Sequence, residues 1–128
     1  MQGFDLDDTL AHVNYQSIFG STSLIDALNN AKVIYTPKSE FVIITARKGS
    51  EEVHKTTTQW VNKTFPNCKR VYFVSGNTEK VIQEKARLIK ELNLTDFTDN
   101  NREILAGIKK LETGATLWVM TQDGRKPY

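Results

Sequence analysis

An uninterrupted apolar run, Phe41 to Ile44, ends in the polar residue Thr45. A strand with one buried face alternates apolar and polar residues, whereas a continuous run is typical of a strand covered on both faces. Such strands belong to parallel sheets that carry helices on either side. The run therefore predicts the central layer of an α/β protein.

Short apolar runs and helix-period segments alternate along the rest of the chain, and this order indicates βαβ units. We expect α/β architecture, a three-layer α/β/α sandwich with a five-stranded, mostly parallel sheet. The predicted strands are residues 1–6, 41–45, 70–74, 95–98 and 115–120. Two of the predicted helices are residues 24–31 and 79–92. A third begins after its cap Ser50 and reaches residue 64, and a fourth begins after its cap Asn101 and ends at Gly114. The tail from residue 122 is expected to be a turn and a loose end.

The composition limits the class of protein. A length of 128 residues fits a single domain, 1–128, and 39% hydrophobic with 25% charged residues is typical of a globular protein. The single cysteine, Cys68, excludes an intrachain disulfide and a cysteine-based zinc site, and its neighbours predict a loop. No apolar run approaches the roughly 18 residues of a membrane span, and no signal peptide is recognised, so we expect a cytoplasmic protein without a membrane partner.

Polar side chains stand at the ends of three predicted strands. Asp5, Thr45 and Asp99 each follow an apolar run directly. Because sheets of this kind bind ligands at the carboxyl ends of their strands, these side chains are expected to share one site.

The segment that begins at Asp5 places three carboxylates within four residues, Asp5, Asp7 and Asp8. Carboxylates in a dry pocket repel each other, and a divalent cation such as Mg²⁺ would offset that repulsion. Two of them can then divide the chemistry of phosphoryl transfer. One attacks phosphorus, and the other protonates the leaving oxygen and later activates water. An Asp-rich turn without function is the alternative interpretation.

Further residues are candidates for holding a phosphoryl group. Thr45 offers a hydroxyl and Arg47 a bidentate cation at the end of the second strand. Lys85 is the preferred lysine of its helix because it shares a face with Ile82 and Ile89, which should point inward. Asp99 is suited to the same cation as Asp5, and Asn100 follows it.

The four groups of candidate residues, which follow the first, second and fourth strands or surround Lys85 on its helix, resemble in their order the motifs of the haloacid dehalogenase superfamily of phosphotransferases. The resemblance covers nearly the whole chain. The family's first motif, Asp-x-Asp-x-Thr, is matched by Asp5, Asp7 and Thr9. Thr45 matches the second motif and Lys85 the third. The fourth, an acidic pair after a strand, is matched by Asp99 and imperfectly by Asn100.

The resemblance implies a Rossmann-like core and a role for each matched residue. Asp5 would be the nucleophile and Asp7 the acid/base, with Lys85 completing the catalytic group. Asp5, the backbone carbonyl of Asp7, and Asp99 would bind Mg²⁺. The substrate would contact four residues of the first two motifs, namely Thr9, Thr45, Ala46 and Arg47.

Many relatives carry a large cap domain, but the stretch between Thr9 and Thr45 is too short for one. We expect a bare core with a flap, residues 11–20, whose aromatic residues Tyr15 and Phe19 are candidates for stacking on substrate. An open site suits a nucleotide or a polynucleotide end, and the chain resembles the phosphatase domains of polynucleotide kinase-phosphatases and small nucleotidases. The alternatives are a non-catalytic module that binds metal or phosphate, and a phosphatase of phosphoproteins or sugar phosphates.

Overall fold

A computed structural model describes residues 1–14 and 24–128 of the chain. The strands are β1 (Gln2–Phe4), β2 (Ala11–His12), β3 (Lys32–Val33), β4 (Phe41–Thr45), β5 (Cys68–Phe73), β6 (Asp96–Asp99), β7 (Thr116–Thr121) and β8 (Gly124–Pro127). The helices are α1 (Leu24–Asn29), α2 (Glu51–Thr64), α3 (Thr78–Glu91) and α4 (Arg102–Lys110).

Six of the described strands form one sheet in the order β5-β4-β1-β6-β7-β8. The first five are parallel to their neighbours, and β8 runs antiparallel to β7. The predicted mixed α/β fold with a mostly parallel sheet is therefore confirmed. Because β1 lies between β4 and β6, the carboxyl ends of these three strands are adjacent.

The predicted number of strands was wrong, because the expected loose end forms β8. A tight turn at Gln122 and Asp123 reverses the chain, and Gly124, the first residue of β8, adopts the left-handed conformation that glycine tolerates, with φ of 105°. Arg125 of β8 binds two residues of β6: its guanidinium lies 2.6 Å from the Asp96 carboxylate and 2.9 Å from the Thr98 hydroxyl. These contacts join residues far apart in sequence.

The core lies on both faces of the sheet, as the apolar run predicts. Phe41 and Ile43 pack with Val61 of α2 on one face, and Val42 and Ile44 pack with α3 and α4 on the other. All five residues of β4 are buried. Fully burying each large apolar side chain contributes about 1.5–3 kcal/mol, which makes this strand a main source of stability.

The segment predicted as a flap begins with a strand. Residues 11 and 12 form β2, which pairs antiparallel with β3 in a two-stranded ribbon. Residues 15–20, with Tyr15 and Phe19, lie outside the described residues. The predictions for those two aromatic side chains stay predictions.

Two local predictions were also wrong. Cys68 begins β5 instead of lying in a loop, and burial raises the pKa of its thiol to about 11. The last helix ends at Lys110, before Gly114, and the first left-handed residue after it is Glu112, with φ of 48°. None of the described helices combines the length and the apolar character needed to cross a membrane.

Candidate active site

The predicted residues meet at the carboxyl edge of the three central strands. The amide of Asp5, directly after β1, donates to the Thr98 carbonyl at 2.9 Å, so Asp5 stays in register with β6. A cavity of about 360 Å³ opens there. Its lining includes Asp5, Asp7, Thr45, Ala46, Arg47, Lys85, Asp99 and Asn100. The fold therefore places every predicted site residue except Thr9 in the lining of this cavity.

Lys85 reaches this cavity from α3, the helix whose amphipathic stripe predicts its inward direction. Its side chain is buried, and its Nζ donates to Asp5 Oδ1 at 3.1 Å and to Asp99 Oδ2 at 2.9 Å. Burial alone would lower the pKa of Lys85, but the carboxylates of Asp5 and Asp99 outweigh it and raise that pKa. Lys85 is therefore a charged bridge between two strand ends.

The Asp5 carboxyl is held in an environment that opposes its ionisation. Burial and the nearby charge of Asp99 raise its pKa from 3.8 to about 7, although the Lys85 ammonium pulls it down. An added cation would favour the ionised form further. The charge state of Asp5 therefore depends on which cations stand beside it.

Asp7 is more accessible than Asp5 and is held by Arg47. The Arg47 guanidinium donates from NH2 to Asp7 Oδ1 at 2.7 Å and from Nε to Oδ2 at 3.3 Å. Its NH1 donates to the Thr57 hydroxyl of α2 at 3.0 Å. The Asp7 side chain retains 28% exposure, whereas Arg47 retains 4%. This fork fixes the direction of the Asp7 carboxylate.

Sequence reasoning predicts Arg47 as a contact of the substrate, and this stays a prediction. The structure places Arg47 in the cavity lining and shows it bound to Asp7. Thr57, which positions Arg47, was missed as a site residue. The available signal was its place on the apolar stripe of α2, where a fully buried hydroxyl needs a partner.

Thr9 lies behind the Asp5 carboxylate and does not line the cavity. It is fully buried, with its hydroxyl 3.3 Å from Asp5 Oδ2 and 3.2 Å from Asn100 Oδ1. The turn that carries it requires Asp8 in the left-handed region, with φ of 62°, which is strained for a non-glycine residue. Thr9 therefore contacts other site residues, and its predicted contact with substrate stays a prediction.

The Asn100 amide lies at the centre of a cluster of oxygens. Its Oδ1 faces acceptors, and turning the amide over lets the nitrogen donate to Asp5 Oδ2 at 3.1 Å and to the Asp7 carbonyl and Asp99 Oδ1, each at 3.2 Å. A donor at this position therefore satisfies three oxygens that converge from β1, the turn after it, and β6.

The Asn100 amide atom that faces these oxygens lies 3.1–3.2 Å from each of them, a distance also compatible with neighbouring ligands of one magnesium ion. The ligands of an octahedral Mg²⁺, each 2.0–2.1 Å from the ion, lie about 3 Å apart along the octahedron's edges. No group of three or more His, Cys, Asp or Glu side chains in the described part of the chain is arranged to hold a metal. The set here instead combines two carboxylates, a backbone carbonyl and an amide, which fits a hard cation that keeps several waters.

His12, Trp60 and Trp118 lie outside the lining of this cavity. His12 is exposed and pairs with Asp8 at 2.6 Å, outside the cavity of Asp5. Trp60 packs edge-on against Phe65, and Trp118 lies under Arg125, 4.2 Å from the guanidinium carbon to the ring centre. Comparisons of the chain with protein-family models, with curated proteins and with solved structures found no match.

Proposed function

We propose that the chain is a magnesium-dependent phosphomonoesterase of the haloacid dehalogenase type, acting on a nucleotide or a polynucleotide terminal phosphate through an aspartyl-phosphate. One observation carries the proposal: two carboxylates of different surroundings, Asp5 and Asp7, line the same cavity. Asp5 is buried against Lys85, whereas Asp7 is partly exposed and oriented by Arg47. Such a difference between neighbouring carboxylates is typical of a nucleophile paired with an acid/base.

In the first step a carboxylate oxygen of Asp5 attacks phosphorus, and the bond from phosphorus to the ester oxygen breaks. The carboxyl of Asp7 donates its proton to that departing oxygen, which leaves as an alcohol. Lys85 and the hydroxyl of Thr45 stabilise the charge on the transferring group. Thr9 and Arg47 are positioning residues, because each acts through a catalytic carboxylate.

In the second step the Asp7 carboxylate takes a proton from water, and the water oxygen attacks phosphorus. The bond from Asp5 to phosphorus breaks, which releases inorganic phosphate and restores both side chains. Asp5, the Asp7 carbonyl and Asp99 would hold Mg²⁺, with Asn100 beside them. When bound, the metal offsets the repulsion between the Asp5 carboxylate and the phosphate.

The proposal includes a core without a large cap domain. The described residues between β1 and β4 form a two-residue strand pair and the short helix α1. Access to the cavity of Asp5 is therefore compatible with a bulky leaving group, such as a nucleotide.

The test is magnesium-dependent release of phosphate from nucleotides, 3′-phosphorylated oligonucleotides and a generic aryl phosphate. Turnover by the wild type that requires metal and is lost in Asp5→Asn supports the proposal. A matched control is Asp123→Asn, which removes a carboxylate from the exposed turn before β8 and should keep full activity. Folded wild type that binds Mg²⁺ and turns over no substrate would instead support a non-catalytic binding module.

A further inference from the structure

A second and larger cavity adjoins the catalytic one. It measures about 910 Å³, and Asn100 lines both cavities, so the two meet at the oxygen cluster. We call this second cavity the side groove. Its lining includes His12, Lys32, Val33, Ile34, Arg102 and Gln122. A group that leaves the catalytic cavity past Asn100 therefore enters the side groove.

One wall of the side groove is the ribbon of β2 and β3, whose position is fixed by backbone bonds. His12 and Lys32 are register partners across the ribbon. The amides of Ile34 and Tyr35 both donate to the Leu10 carbonyl, at 2.8 and 3.3 Å. This wall is thus joined to the turn that carries Asp7 and Asp8.

Two cations from different elements give the side groove a positive character. Lys32 comes from the ribbon and Arg102 from the first turn of α4, and both are exposed. Neither forms an ion pair with another described residue, whereas the carboxylate of Asp8 is engaged by His12 at 2.6 Å. The side groove therefore offers two uncommitted charges to an anionic ligand.

The same wall also exposes apolar surface. Val33 and Ile34 are 42% and 41% exposed, and they are among the four large hydrophobic residues that are exposed in the described chain. Adjacent apolar and cationic groups match a strand of nucleotides, in which the apolar surfaces of sugars and bases lie next to charged phosphates.

We propose that the side groove binds single-stranded nucleic acid whose terminal phosphate lies at Asp5. Lys32 and Arg102 contact phosphodiester groups, and Val33 and Ile34 contact sugars or bases. This inference rests on the proposed function and adds to it the path of the leaving group. It predicts that longer substrates bind more tightly than a mononucleotide does, until the side groove is filled.

A competing path leaves the catalytic cavity on the other side. A cavity of about 210 Å³ there is lined by Arg47, Lys48 and the stacked pair His54 and Phe73, among others. It is smaller than the 300–1,000 Å³ typical of ligand sites, and Arg47 is engaged by Asp7. The size and charge of the side groove therefore favour it over this path.

The kinetic test compares Lys32→Ala/Arg102→Ala with Lys109→Ala/Lys110→Ala, which removes the same charge from the far end of α4. The measured quantity is the ratio of kcat/KM for a 3′-phosphorylated oligonucleotide to kcat/KM for an aryl phosphate. The ratio should fall at least about tenfold in the first variant and stay unchanged in the second. An equal fall in both variants, or a fall in Lys48→Ala alone, would overturn the proposal.

A binding test separates this inference from the proposed function. Anisotropy of a labelled 3′-phosphorylated oligonucleotide is measured on Asp5→Asn protein over a range of salt concentrations, with and without the groove substitutions. Loss of two phosphate contacts on a single strand should reduce the slope of log K against log[salt] by about 1.4. An unchanged slope refutes the side groove even if phosphatase activity is found, and the predicted change supports it even if no turnover is seen.

Discussion

Arg47 donates hydrogen bonds to the Asp7 carboxylate from two nitrogens, with NH2 2.7 Å from Oδ1 and Nε 3.3 Å from Oδ2. The pair joins the end of β4 to the turn after β1, and Thr57 holds the third nitrogen of the fork from α2. A lysine at this position would keep the charge but not the two parallel bonds.

Arg47→Lys should therefore misdirect the proposed acid while leaving Asp5 in place. We expect kcat to fall about 100-fold on an alkyl phosphate, whose leaving oxygen needs a proton, and much less on an aryl phosphate with an acidic phenol. Steady-state kinetics on both substrates measure the difference. Equal losses on the two substrates would contradict a role for Arg47 through Asp7.

Removing the Lys85 ammonium should leave Asp5 and Asp99 without their shared cation. Lys85→Met is expected to lower the free energy of unfolding by about 3–5 kcal/mol at pH 8 in chelator, because buried charges lose their partner. Adding Asp99→Asn should restore part of that loss. Chemical denaturation of the two single variants and the double variant measures the coupling, and strictly additive effects would refute the bridge.

The metal-free protein should lose stability as pH rises from about 4 to 7. The pKa of Asp5 is about 7 in the folded state and ordinarily 3.8, so over this range the folded state keeps a proton that the unfolded chain releases. Asp5→Asn removes this dependence, on the order of 4 kcal/mol across the range. Urea titrations at several pH values in chelator compare the two proteins, and parallel profiles would be the contrary result.

Asn100→Asp should lower the stability of the metal-free protein and raise its affinity for Mg²⁺. The substitution replaces an amide that can donate to three oxygens with a carboxylate, which adds a fourth acceptor and costs about 1–3 kcal/mol in chelator. Mg²⁺ should bind at least about tenfold more tightly, as calorimetric titration would measure. Asn101→Asp is the matched control, because Asp caps a helix as well as Asn does.

Arg125→Ala should loosen β8 without touching the catalytic cavity. The guanidinium bonds with Asp96 and Thr98 would be lost, together with its stacking on Trp118. We expect a loss of about 2 kcal/mol in the free energy of unfolding. Thermal denaturation measures this loss. An unchanged midpoint would mean that pairing with β7 alone keeps β8 in the sheet.

Periodic apolar patterns explain what could be predicted from the sequence. Lys85 was chosen among several basic residues of its helix because Ile82 and Ile89 lie on the same face. The structure buries Lys85 and Ile89 and leaves Ile82 half-buried. The run Phe41 to Ile44 likewise predicts a strand covered on both faces, and both clusters of the core meet on it. These features depend on the 3.6-residue and two-residue periods of local structure.

Contacts between distant polar residues could not be predicted in this way. Nothing near Arg47 in sequence indicates that it pairs with Asp7 rather than with substrate. Likewise, β8 has a polar sequence ending in proline, and its place is fixed by the pair of Arg125 with Asp96. Such partners are set by the assembled sheet, which local patterns do not report.

The three-residue strand β1 has a consequence for how the protein folds and opens. Its partners β4 and β6 lie roughly forty and ninety residues further along the chain, so its pairing raises the contact order of the fold, a property that correlates with slow folding. Every opening motion that releases β1 also withdraws Asp5 from Lys85. The exchange rate of the Asp5 amide hydrogen, which is bonded to Thr98, therefore reports directly how often the candidate active site comes apart.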